Sequence, residues 1–291
     1  MQQKLTTGDK VFYIIDYVFI ALMVCITLYP FLFIISSSIS DTGALQRGEV
    51  WLFPVGINFS TYQMVLADSN VWSGYYNTIW YVAVGTTINI TMTLLTAYPL
   101  SRKTFSARNT LMMIIAFTMF FSGGLVPSYL LLKTLKMINT RWAIVIPAAI
   151  STWNLIILRT SFESIPESLH ESAIIDGCPE LKILFKIYLP LSIPTMAVMV
   201  LFYAVGHWNS YFSAMIYLND ADKFPLQLWL REMLIMYDQN DILHDVNQGR
   251  DVIGQSVRYA TIIVSTLPIL MVYPFLQKYF MKGVMIGAIK G

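Results

Sequence analysis

Charged side chains are scarce in this 291-residue chain: Asp, Glu, Lys and Arg make up 12% of it, with a formal net charge of +2. Soluble domains carry about 25% charged residues, and here no stretch is polar enough for long enough to form one beside the apolar runs. Cysteine is scarcer still. Cys25 lies inside an apolar run and Cys178 in a charged segment, at different expected depths, which argues against a disulfide. The three histidines, His170, His207 and His244, are too scattered to suggest a metal cluster, and His170 beside Glu171 reads as a solvated helix residue. No G-x-x-x-x-G-K-[ST], H-E-x-x-H or G-x-S-x-G is present, so phosphate cradling, zinc hydrolysis and serine catalysis are not expected and the chain does not read as an enzyme. The apolar runs also hold almost no ionisable residues. Asp16 and Arg159 lie near run ends and can reach the interface, leaving nothing for an ion-coupled relay. Energy for uphill transport has to come from another polypeptide.

What is abundant is apolar sequence, 56% of the chain against about 45–50% in globular proteins. Six runs approach the roughly 20 residues that cross a bilayer: 11–35, 78–100, 110–132, 142–158, 189–208 and 256–280. The first is too long for a secretory core, and no Ala-x-Ala exit follows it before Ser36-Ser37-Ser38, so it reads as a retained transmembrane helix. Pro30, Gly123-Gly124 with Pro127, Pro147, Pro194 and Pro268 interrupt the runs. Breaks at membrane depth persist where protein or a water-filled cavity satisfies the freed backbone, so five together favour helices around a pathway.

With both termini inside, the cytoplasmic face collects Lys4, Lys10, Arg102, Lys103, Arg108, Arg159, Lys182, Lys186, Lys278, Lys282 and Lys290. Lys133, Lys136 and Arg141 then fall outside, against the positive-inside rule. Two longer segments, 37–77 and 207–257, also lie outside. The second has an amphipathic middle, Leu226, Trp229, Leu230, Met233 and Leu234, which reads as an interfacial helix resting on protein or lipid, with direct substrate contact as the alternative.

The segment 163–188 is charged and helical between the fourth and fifth runs. Ser164 and Glu167 fit a capping box with Pro166 in the first turn, and a short helix through Glu171, Ser172 and Ala173 should end at Asp176-Gly177. Pro179 opens a second helix whose Leu181, Leu184, Phe185 and Tyr188 form an apolar face before Pro190. Such a helix-turn-helix offers a docking knob on the membrane face.

Glu171-Ser172-Ala173, Asp176-Gly177, Ile187, Leu189 and Pro190 resemble the E-A-A-x-x-x-G loop, followed after nine intervening residues by I-x-L-P, of permease subunits in binding-protein-dependent ABC importers. Ser172 stands where that motif usually has alanine. "HWNSYFSAMIYLND" and the glycine-rich "KGVMIGAIKG" are similar to carbohydrate permeases of the maltose-transporter kind, and "FPLQLWLREML" is similar to permeases for aldouronate-type and other complex oligosaccharides.

The resemblance implies a single all-α, six-helix permease domain over 1–291 in a bacterial cytoplasmic (inner) membrane. It also implies a second homologous permease, two ATP-binding subunits, an extracytoplasmic solute-binding protein and a carbohydrate substrate. Membrane lipid surrounds the chain and no nucleic acid is expected. ATP and Mg would be held by the partner ATPases, with no cofactor or metal on this chain. Glu171, Ser172, Ala173, Asp176, Gly177 and Pro190 would serve ATPase coupling, and Gly283, Gly287 and Lys290 a C-terminal ATPase contact. Aromatic, amide and hydroxyl groups near helix breaks or ends, namely Trp153, Asn154, Tyr203, Trp208, Asn209 and Tyr211, are candidates for the sugar pathway, against the competing reading of an interfacial aromatic belt. A channel or scaffold whose loop binds a partner is the alternative from another class.

Overall fold

The structure, a computed structural model, describes residues 6–243 and 254–271, without the side chains of 237–243. The C-terminal residues Gly283, Gly287 and Lys290, and the end of the sixth apolar run, lie outside the described residues. All regular structure among the described residues is helical. The chain divides into two compact units, residues 1–68 with 232–266 and residues 69–231 with 267–291.

In the first unit α1 (Thr7–Ser38) starts at a reciprocal cap: the Asp9 amide donates to the Thr6 hydroxyl, and the Thr6 amide donates to the Asp9 carboxylate at 2.8 Å. Its side chains are exposed and apolar along nearly the whole length, as a lipid-facing helix requires. Pro30 does not interrupt it, contrary to the sequence expectation, because a proline inside an apolar helix forfeits one bond and its own turn can absorb the loss. The helix formed by residues 254–271 likewise runs through Pro268. Serines at the end of α1 and just beyond it build a chain reversal. Ser36 Oγ donates to the Leu52 carbonyl (2.7 Å), Ser40 Oγ to the Ser36 carbonyl (2.6 Å), and the Val55 amide to Ser40 Oγ (3.1 Å). The short helices α2 (Thr42–Gln46), capped by Asp41, and α3 (Ser60–Ala67) follow.

The second unit is organised by α4 (Ser69–Ser101), 33 residues and so about 50 Å long. One stripe of it, Gly74, Thr78, Tyr81, Gly85, Asn89, Thr93 and Ala97, recurs at steps of three or four residues and is buried throughout. Small and hydrogen-bonding residues on that stripe let neighbouring helices approach closely. Then come α5 (Arg108–Phe117), α6 (Leu125–Thr134), α7 (Trp142–Val145), α8 (Thr152–Glu163), α9 (Glu167–Ile175) and α10 (Glu180–Ile183). A π-turn (Leu184–Tyr188) leads through α11 (Leu189–Leu191) to α12 (Ile193–Trp208), α13 (Phe212–Tyr217) and α14 (Leu226–Leu243). α4 packs most extensively against α12 and α8.

Among the described residues α1 and α4 are each long and apolar enough to cross a membrane, and the pair Glu180–Leu191 and Ile193–Trp208, bent by 86°, forms a third candidate if it is one span. The third apolar run is two helices broken around Gly124 (φ +83°), and the fourth is split at Pro147 between α7 and α8.

Candidate functional site

At one end of α4 the charged segment folds onto the helix. Pro166 caps α9 without a side-chain bond, so the expected Ser164–Glu167 capping box does not form. Ser164 Oγ donates instead to the Ser161 carbonyl (2.7 Å), and the Glu167 carboxylate turns to the guanidinium of Arg102. α9 ends in two bonds of a Schellman reversal, from the Gly177 amide to the Ile174 carbonyl and from the Cys178 amide to the Ala173 carbonyl, both 2.9 Å, with Gly177 at φ +72°.

His170 is not solvated, as its position beside Glu171 suggested, but only 3% exposed. Its ring lies against Tyr188, and its Nε2 lies 3.3 Å from the Glu180 carboxylate, which also accepts from the Tyr98 hydroxyl. The second arm, the helix after Pro179, buries part of the face expected: Leu184 and Tyr188 are buried, Leu181 and Phe185 are exposed, and Ile183 is buried instead. The π-turn Leu184–Tyr188 widens the helical period, which sets Phe185 apart from Leu184 and Tyr188.

With one face so engaged, α9 presents Glu171, Ser172, Ile174, Ile175 and Asp176 outward; Ile175 is 85% exposed. Ala173 is turned inward into the aromatic and aliphatic cluster of Tyr98, Phe162 and Tyr188. Pro190 is exposed in α11, two residues before the bend.

Midway along α4, a cavity of about 530 Å³ opens against α8 and α12. Of the six pathway candidates, Trp153, Asn154 and Tyr203 line it. Trp208, Asn209 and Tyr211 do not: Trp208 packs near Tyr75 with ring centroids 6.4 Å apart, Asn209 terminates α12, and Tyr211 precedes α13 on the surface. Asn89, Ser151 and His207 also line the cavity. His207 Nε2 meets Asn89 Oδ1 at 2.6 Å, Asn89 Nδ2 donates to the Ala148 carbonyl freed by the break at Pro147, and the Tyr203 hydroxyl bonds Thr93 Oγ1 (2.7 Å) and accepts from the Ser151 amide (3.1 Å). Amides, hydroxyls and an imidazole beside an indole face suit a hydroxyl-rich ligand. Asn89 was legible as an amide inside an apolar run, and His207 as a polar group at a span end.

The family model for the binding-protein-dependent transport system inner membrane component matches residues 89–286. The chain belongs to this family. It is 40% identical over 286 residues to Protein LplC of Bacillus subtilis (strain 168), spanning 98% of this chain and 97% of the relative. It is 38% identical over 285 residues to the polygalacturonan/rhamnogalacturonan transport system permease protein YtcP of the same organism, spanning 97% and 99%. A chain in the crystal structure of a bacterial ABC transporter involved in import of the acidic polysaccharide alginate superposes with a TM-score of 0.87 at 35% identity, over 96% of this permease and 100% of that chain.

At the far end of α4, a basic residue of this permease is held by polar and aromatic partners. Arg141 is not a free surface cation. Its Nη2 donates to Asn77 Oδ1 (2.7 Å), and its guanidinium lies 5.6 Å and 5.3 Å from the rings of Tyr76 and Trp80. Asn77 Nδ2 in turn donates to the Asp222 (2.7 Å) and Phe224 (3.1 Å) carbonyls, and Tyr81 to the Lys223 carbonyl (2.9 Å), which fixes the segment after α13 on α4. Asn139, at φ +62°, accepts from the Asn219 and Asp220 amides and donates to the Asp220 carboxylate. Leu226 at the start of α14 seats against Gly74, its amide donating to Thr78 Oγ1 at 2.9 Å.

Proposed function

We propose that this permease forms half of the translocation pathway for an oligosaccharide delivered by a solute-binding protein, and that α9 couples the pathway to a partner ATPase. The observation that carries the reading is the division of α9 into an engaged face and a free one. His170 and Glu167 hold it to the rest of the unit, while Glu171, Ile174, Ile175 and Asp176 stay available to a partner. An apolar knob rimmed by carboxylates suits a cleft with an apolar floor and basic edges. Two such permeases, two ATPases and the binding protein make the working assembly, with both termini and α9 on the cytoplasmic side and six spans through the inner membrane. The names of YtcP and of the alginate transporter direct the choice of probes toward oligosaccharides of galacturonate and alginate.

The decisive experiment is reconstitution of the complete complex in liposomes, with ATP-dependent uptake of galacturonate and alginate oligosaccharides measured beside a neutral xylo-oligosaccharide. Uptake that needs ATP and the binding protein supports the reading; ATP-independent conduction by the purified permease alone would make it a channel.

Glu171→Lys should lower the amount of ATPase that co-purifies with the permease more than Glu171→Ala does, since reversal replaces attraction by repulsion, and the gap should narrow as salt is raised. Equal recovery with wild type, alanine and lysine would dismiss the electrostatic contact.

The C-terminal residues Gly283, Gly287 and Lys290 are proposed to touch the moving interface between the ATPases, where glycine allows close backbone approach. Deleting 283–291 is then expected to leave the complex assembled but to lower its ATP hydrolysis with loaded binding protein. An unchanged rate would assign the tail to the lipid surface instead.

A further inference from the structure

Arg102 is 7% exposed, an unusual site for a guanidinium, and it lies just beyond the end of α4. Its Nη2 pairs with the Glu167 carboxylate at the start of α9, and its Nη1 donates to the hydroxyl of Tyr188 in the π-turn, with the guanidinium carbon 5.4 Å from that ring's centroid. The Glu167 side chain is 36% exposed, so the pair is half-buried: solvent screens the attraction while Arg102 still loses its hydration, and little net stability is expected from it. Its value here lies in what it connects.

Three elements each supply two members of one network. α4 and the residue after it give Tyr98 and Arg102, α9 gives Glu167 and His170, and the second arm gives Glu180 and Tyr188. Every pair of elements is bonded: α4 to α9 through Arg102–Glu167, α4 to the second arm through Tyr98–Glu180 and Arg102–Tyr188, and α9 to the second arm through His170–Glu180. A triangle closed on all three sides resists shear, whereas an open one hinges at the missing side. The planar fork of arginine can serve two partners in fixed directions, which lysine cannot.

We infer that Arg102 is a positioning residue that makes the two arms of the α9 loop and the adjacent end of α4 a single rigid lever, so that a displacement imposed on α9 is delivered to α4 and to the cavity beside Asn89. The inference rests on the proposed coupling role of α9. Without Arg102 the loop can still present Ile175 and Glu171, but its movement is lost in a shear between α9 and α4.

The test uses the full complex with Cys25 and Cys178 replaced by serine and nitroxide labels at Leu169 on α9 and Met92 on α4, both exposed and neither on the face offered to the ATPase. Pulsed dipolar distances are taken without nucleotide and after vanadate trapping. In the Arg102-containing permease the distance distribution should be the same in both states. In Arg102→Met it should broaden and shift on trapping, while ATPase co-purification is retained and oligosaccharide taken up per ATP falls about tenfold, inside the usual range of coupling between sites. Arg102→Lys should fall between. If Arg102→Met does not assemble, the near-isosteric Glu167→Gln provides the same readout. A distance that already shifts with arginine in place, or variants whose distances and transport ratio match the parent, overturns the inference. Failure of the parent complex to take up any probe sugar would instead overturn the importer reading, because the distance measurement needs no sugar.

Discussion

Replacing Gly177 by valine is expected to cut uptake to about a tenth or less while membrane insertion and subunit yield stay normal. Gly177 sits at φ +72°, the left-handed conformation that lets α9 stop and the chain turn into Pro179. An L-residue there costs about 1–2 kcal/mol, and a β-branched one is a marked outlier. A side chain at this position would meet no neighbour within 4 Å, so crowding is not the cause of the predicted loss. The strain would be relieved by letting φ relax, and the bonds from the Gly177 and Cys178 amides to α9 would then open. That predicts an order among substitutions: asparagine, which tolerates the left-handed region, should keep most activity, alanine less, and valine about a tenth or less, a loss within the range of coupling free energies. ATP-driven uptake in liposomes, normalised to permease content, is the measurement. Activity with valine equal to the parent would remove Gly177 from the mechanism.

The hinge was legible in the sequence because its determinants are local: a glycine and a proline two residues apart fix the backbone without reference to anything distant. The apolar runs were legible for the same reason, since length and composition alone mark them. What the sequence hid depends on partners far along the chain. Arg102 counted as one of many interfacial cations, yet its partners lie 65 and 86 positions away. His170 looked solvated beside the charged Glu171, while the groups that hold it, Tyr188 and Glu180, come from other elements. Phe185 was assigned to a buried face by a regular helical period that the π-turn breaks. In the pathway, aromatic residues near helix ends drew the eye. The structure brings together Trp153, Asn154 and Tyr203 with Asn89 and His207, and leaves Trp208, Asn209 and Tyr211 elsewhere.

Gly85→Val should be the most damaging single change in the stripe of α4. The imidazole of His207 lies so close that a Cβ at position 85 would come within 2.4 Å of Nε2 and 2.6 Å of Cε1, well inside contact distance. The ring cannot simply swing away, because its Nε2 is bonded to Asn89, which in turn satisfies the Ala148 carbonyl beside Pro147. Overpacking of this kind typically costs about 1–3 kcal/mol, and here it would also loosen the polar wall of the cavity. The expected result is a lower melting temperature for the detergent-purified permease together with lost uptake. The mechanism has a sharper signature in a double-mutant cycle. His207→Ala opens the space that valine needs, so Gly85→Val should be much less harmful in that background than in the parent, a coupling that two independent defects would not show. Strictly additive losses of melting temperature would mean that the close approach of α12 to α4 at Gly85 is not what makes the glycine necessary.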